Sequence, residues 1–145
     1  MNQVRLARPT DAAELARLSS LLGYPIKEDE LAKILAIMDT DGDHAVLVVE
    51  KDPTYLAGFG HVFLTRRLFL APFAELGGLI VDEDNRGKGL GAVLLETAEQ
   101  WAQEQGVSVM RIRSNILREG AKEFYLNLGY QVNKEQNVFA KKIGN

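Results

Sequence analysis

The chain has 145 residues, 17 lysines and arginines against 20 aspartates and glutamates, a net charge of −3 and no cysteine. That length suits one compact domain, residues 1–145, and the acidic balance argues against non-specific nucleic-acid or anionic-membrane binding. Without cysteine there is no disulfide, no thiolate nucleophile and no Cys-ligated zinc.

The opening Met-Asn-Gln-Val-Arg has no apolar signal core, and the apolar runs fall short of the ~20 residues of a membrane helix. A cytoplasmic location is expected. Residues 4–8 alternate and stop at Pro9, a short first strand. Thr10-Asp11 opens a helix, with Asp11 and Glu14 at capping-box spacing. Leu15, Leu18 and Leu22 form its apolar stripe and Gly23 ends it. A second helix runs from Lys27 to Met38, followed by a loop, Asp39 to Asp43. Ala45–Val49 is a β-branched run and Tyr55–Thr65 its partner, joined by a turn around Asp52-Pro53. Phe73–Val81 is another strand, and its Gly77-Gly78 pair marks a bulge. A charged loop, Asp82 to Lys88, leads to a helix over Gly89–Gln105 carrying Leu90, Leu94, Ala98 and Trp101. Val107–Arg113 is a strand, Glu119–Leu128 a helix, and residues 130–132 and 138–142 are two short closing strands. Strand–helix–strand around 89–105 implies a parallel crossover pair, and the three strands before it an antiparallel meander. The fold class is α/β with a mixed sheet.

Five of the 13 glycines fall between positions 77 and 91. In Arg86-Gly87-Lys88-Gly89-Leu90-Gly91 a strand passes through a loop into a helix. The first helical turn exposes unpaired N–H groups and the positive dipole end, and glycines let an anion approach them. With two cations added, the chemistry implied is pyrophosphate binding. A Walker loop fails because Gly89, not Ser or Thr, follows Lys88. Gly87, Gly89 and Ala92 meet the dinucleotide spacing formally. The next strand, however, ends Arg113-Ser114-Asn115 with no ribose-binding acid, and the motif comes after four strands.

Arg86, Gly89 and Gly91 match R-x-x-G-x-G. With this loop, the strand Ala74–Val81 and the segment Arg113–Tyr130, the chain resembles the GNAT N-acetyltransferase superfamily, and its element order agrees. The resemblance implies a mostly antiparallel, splayed central sheet with helices on both faces. It implies acetyl-CoA as co-substrate, no metal, and transfer to a primary amine, of a small molecule, by direct attack in a ternary complex. Arg86, Gly87, Lys88, Gly89, Leu90 and Gly91 would then hold the pyrophosphate, and Leu79, Ile80 and Val81 would pair with the pantetheine through their backbones. Asn115 would bind the same arm. Ala121 lies one helical turn before Tyr125, the tyrosine expected beside the sulfur as general acid; its position also fits a core aromatic. Glu75, alone in an apolar strand, matches a general base of part of the superfamily, or else a carboxylate paired with an arginine. Residues 74–75 and 113–130 look most like the aminoalkylphosphonate acetyltransferases. A non-catalytic acyl-CoA sensor is the rival reading.

Other signals are weaker in chemistry. Asp39, Asp41, Asp43 and Glu50 have calcium-loop spacing, but His44 stands where a glycine is needed. His61 shares a strand face with Phe59 and Phe63 and reads as packed or substrate-lining. Arg66-Arg67 reads either as two cations for an acidic group on the acceptor or as a solvated turn, and Leu68–Phe73 as a contact for a homodimer. The acids Asp82-Glu83-Asp84 run against the anion-binding reading unless they point away from the loop.

Overall fold

The computed structural model describes residues 3–113 and 120–145. The chain divides into two compact units, Met1–Arg113 and Ser114–Asn145. In the first, the elements are β1 (Gln3–Leu6), α1 (Ala12–Leu22), α2 (Glu28–Thr40), β2 (His44–Asp52), β3 (Tyr55–Arg67), β4 (Leu70–Val81), α3 (Leu90–Glu104) and β5 (Met110–Ile112). The strands lie in the order β1-β2-β3-β4-β5, antiparallel up to β4, with β5 parallel to β4. This is the mixed, mostly antiparallel sheet expected from the sequence.

Period-two alternation sorts the side chains to two faces. Val48, Phe59 and Ile80 stand side by side across β2, β3 and β4. They join Leu15, Leu18 and Leu22 of α1 and Leu31 and Leu35 of α2 in one apolar cluster. The next rung, Leu47, Gly60 and Leu79, faces the other way, and a Cβ on Gly60 would meet Leu94 of α3. Leu94, Leu95, Ala98 and Ala102 are buried there. Helices thus cover both faces. Leu18 and Leu94 have no exposed surface, and truncating either to alanine costs about 2–5 kcal/mol.

The start of α1 departs from expectation. Asp11 and Glu14 do not form a capping box. The Asp11 carboxylate instead accepts from the Arg8 backbone N–H at 2.7 Å and from Arg5 at 2.8 and 3.0 Å. It closes a 3-10 turn over Pro9–Asp11, and α1 begins at Ala12. Glu14 reaches across to β3, accepting from the Leu56 N–H at 3.0 Å and pairing with Arg17 at 2.9 Å. Charged and cross-element donors outcompete the local amide. At its other end α1 stops at Gly23, with φ at +103°. Helix α2 runs to Thr40, into the expected loop, with the Thr40 hydroxyl donating to the Ile37 carbonyl at 2.9 Å.

The second unit contains α4 (Ala121–Asn127), flanked by Gly120 and Gly129 at φ of +80° and +94°. Residues 130–145 carry no helix or strand, so the closing strands expected at 130–132 and 138–142 are not present. Apolar β-branched residues favour extended backbone, but a strand also needs a hydrogen-bonded neighbour. Val132, Val138 and Phe139 are largely exposed.

Candidate active site

The register of β3 against β4 shifts at one place. His61 pairs with Gly78 and Val62 with Leu76, leaving Gly77 opposite nothing. This is the bulge expected from the glycine pair. A Cβ on Gly77 would lie 2.8 Å from His61 Nδ1 and 2.9 Å from Phe63 Cε1, so only glycine fits without displacing them. Just before the bulge, Ala74, Glu75 and Leu76 pair with Met110, Arg111 and Ile112 of β5. Beyond it, among the described residues, Gly78 to Val81 have no neighbour on that side. The sheet splits at the bulge, and along the open edge the backbone groups of Leu79 and Val81 point outward, while Ile80 between them faces β3. A carbonyl on that edge is already engaged: Arg86 Nε donates to the Val81 oxygen at 2.9 Å.

The strand then turns through Asp82–Asn85. Asp82 is buried, and its backbone N–H donates to the Ala57 carbonyl at 2.9 Å. Its carboxylate accepts from the Tyr55 hydroxyl, from Asn85 Nδ2 at 2.6 Å and from Arg17 at 3.5 Å. Asn85, 1% exposed, also accepts from Lys51 Nζ at 2.8 Å. Burial disfavours the Asp82 charge, but the Tyr55 and Asn85 hydrogen bonds and Arg17 outweigh it and hold its carboxyl below the usual carboxylate range. The same bond to Asp82 raises the Tyr55 phenol. The acid whose charge runs against anion binding therefore points inward and anchors the turn, while Glu83 and Asp84 are exposed.

After this anchor, Gly87 and Gly89 both sit at φ +79°, with nothing within 4 Å of the point a Cβ would occupy. Their requirement is backbone conformation rather than space. Gly89 caps α3, and the first intrahelical bond is Val93 N–H to Gly89 O at 3.1 Å. The amides of Leu90, Gly91 and Ala92 have no acceptor within the helix. Leu90 is buried and fixes the helix start, and Arg86 and Lys88 are exposed beside these amides. The donor set of free N–H groups, a helix dipole and two cations suits a pyrophosphate.

Glu75 is 9% exposed and receives a long contact from Arg113 Nη2, 3.5 Å from its Oε1. Its register partners are Phe63 on β3 and Arg111 on β5. Beside Phe63, the only two histidines meet: His44 Nδ1 and His61 Nε2 are 2.9 Å apart, and both rings lie against Phe63. Burial, aided by His44, depresses the His61 pKa to about 4. His61 is half-buried, packed against the His44 and Phe63 rings. In the second unit, Ala121 opens α4 and Tyr125 follows one turn later, its ring edge-on to Phe124 and Tyr130. Asn115 lies outside the described residues.

Sequence reasoning missed the Asp82 anchor. The three-residue spacing of Asp82 and Asn85 is a turn signal, but Tyr55, Lys51 and Arg17 come from distant elements. Arg66, read from the sequence either as an acceptor-binding cation or as part of a solvated turn, is paired with Asp43 at 3.1 Å. Among the described residues, no three His, Asp or Glu side chains are grouped to hold a metal ion, and no helix is long and apolar enough to cross a membrane.

Residues 11–130 match the family model of the acetyltransferase (GNAT) family. An uncharacterized N-acetyltransferase of Methanocaldococcus jannaschii is 34% identical over 58 residues, which are 40% of this chain and 26% of that protein. The match thus spans about a quarter of that relative's length. The fold is shared with an aminoglycoside 6′-N-acetyltransferase of Acinetobacter baumannii, with a TM-score of 0.86 at 18% identity over 99% of this chain and 100% of that one. It is shared also with AAC(6′)-Iy, solved with a CoA bisubstrate analogue, with a TM-score of 0.85 at 14% identity over 98% and 99% of the two chains. With the split sheet and the family match over residues 11–130, this chain belongs to the GNAT acetyltransferase family.

Proposed function

We propose that this protein transfers the acetyl group of acetyl-CoA to a primary amine of a small molecule, by direct attack in a ternary complex. The observation that carries this reading is the continuous path from the open edge of β4 through the anchored Asp82 turn to the free amides of α3. The amides of Leu90 and Gly91, the loop Arg86-Gly87-Lys88-Gly89 and the dipole of α3 would hold the pyrophosphate. The backbones of Leu79 and Val81, on either side of Ile80, would take the pantetheine arm as an added strand, with Asn115 and Ala121 completing its site. Two of the solved structures that share the fold are named as aminoglycoside acetyltransferases, which supports a small-molecule acceptor.

Acetyl-CoA supplies an activated thioester: the amine nitrogen forms the new C–N bond as the C–S bond breaks. The protein's task is to position and to move protons. Glu75, nearly buried before the bulge, accepts the proton that the amine must lose. Tyr125 donates its hydroxyl proton to the departing sulfur and regains one from solvent. A phenol hydroxyl is a suitable donor to a thiolate leaving group. With no cysteine in the chain, a cysteine acyl-enzyme is excluded. The test is release of free thiol from acetyl-CoA over an amine panel. Amine-dependent release supports the proposal. Tight acetyl-CoA binding with no release for any amine would favour a sensor instead.

A further inference from the structure

Arg111 is unusual among the arginines of the first unit. It is the register partner of Glu75 on the neighbouring strand, yet Glu75 takes its contact from Arg113. Arg111 forms no ion pair with any described acid. Its guanidinium lies over the Phe73 ring, 4.2 Å from the centroid, and its Nε is buried with no hydrogen-bond partner. Arg67 approaches the same ring at 5.9 Å, also without a described acid. Thr65, the register partner of Phe73, has a buried hydroxyl that is likewise unpartnered. Two cations, Arg67 and Arg111, thus lie over Phe73, two residues before Glu75, whose own contact is to Arg113. A partly buried guanidinium without a counter-ion is costly, and a bound carboxylate would supply one. Stacking on Phe73 also fixes the guanidinium plane, which suits the flat two-oxygen geometry of a carboxylate.

We propose that the acceptor is a zwitterion, its amine held at Glu75 and its carboxylate at Arg111. The two residues stand opposite each other on strands about 4.8 Å apart, so the spacer between amine and carboxylate is short. This rests on the acetyl-transfer reading and names its acceptor class. It replaces the Arg66-Arg67 pair of the sequence with Arg111, supported by Arg67.

The test compares γ-aminobutyrate with butylamine, and β-alanine with propylamine, in the presence of acetyl-CoA. Each amino acid should have a KM at least about tenfold below that of its partner amine. Arg111→Met should erase most of that ratio, and Arg111→Lys should restore it only in part, since lysine keeps the charge and loses the fork. Calorimetric titration of γ-aminobutyrate into the acetyl-CoA-saturated protein gives the same comparison without turnover. Equal KM values within each pair would overturn the proposal, as would an Arg111→Met variant that weakens both partners alike or unfolds at lower temperature with the ratio intact. The last result would make Arg111 a packing residue of Phe73. Acetyl-CoA affinity, measured alongside, tests the acetyl-transfer reading separately.

Discussion

Asn85 Nδ2 donates to the Asp82 carboxylate at 2.6 Å, joining the two ends of the turn that leads into the glycine loop. Both side chains are buried, and both are held from elsewhere, Asp82 by Tyr55 and Arg17 and Asn85 by Lys51. The turn is therefore fixed from α1, β2 and β3 at once. Asp82→Ala would remove the acceptor of the Tyr55 hydroxyl and one acceptor of the Asn85 amide, while Arg17 would keep Glu14 and the Leu56 carbonyl. We expect a loss of about 2–3 kcal/mol in urea unfolding and weaker acetyl-CoA binding. Glu83→Gln, one residue on and exposed, should change stability by less than about 0.5 kcal/mol.

Two kinds of glycine can be told apart by substitution. Gly89→Ala meets no neighbour but must hold φ at +79°, costing about 1–2 kcal/mol. Its effect should fall on acetyl-CoA affinity, because the loop amides move. Gly77→Ala would drive a methyl into His61 and Phe63, costing about 1–3 kcal/mol. Since the bulge precedes the open edge, its kinetic effect should appear in kcat as well as in stability. Thermal unfolding and acetyl-CoA titration of both variants separate the two cases.

His61 gives stability a pH dependence of definite sign. Its pKa falls from 6.5 to about 4 in the folded protein. The unfolded chain therefore binds the proton more tightly. The contribution of neutral His61 is complete above pH 6.5 and is lost progressively as pH falls toward 4, by up to ~3 kcal/mol. His61→Gln should flatten the stability profile between those values. A profile equally steep in the variant would place the dependence on other groups.

Glu75→Gln and Tyr125→Phe should each leave acetyl-CoA binding within about twofold and reduce kcat by about 10²–10⁴. Unchanged turnover in Glu75→Gln would mean that the amine loses its proton to water and that Glu75 serves only as partner to Arg113.

Much of this architecture could be read from local pattern. The β-branched run Ala45–Val49, its partner strand Tyr55–Thr65, the bulge at Gly77 and the helix start after Gly89 all depend on a few adjacent residues. What escaped depends on contacts between distant ones. Nothing near Asp82 shows that Tyr55 and Lys51 will meet it and its partner. Nothing near Asp11 shows that Arg5 will claim the carboxylate expected to cap α1. Arg66 is matched to Asp43, 23 positions away, a pairing that follows from the register of β3 rather than from its own neighbours. The strands expected at 130–132 and 138–142 failed for the same reason, since composition favours extension without naming a partner.

The measurement to make first is the thermal stability of the protein with acetyl-CoA, with NAD and ATP as controls, in wild type and in Arg86→Glu. Acetyl-CoA at about 100 times its Kd should stabilise the wild type by about 2.7 kcal/mol, NAD and ATP should not, and Arg86→Glu should lose most of the effect. No shift with acetyl-CoA, or an equal shift with NAD, would contradict the assignment of residues 86–91 as its pyrophosphate site.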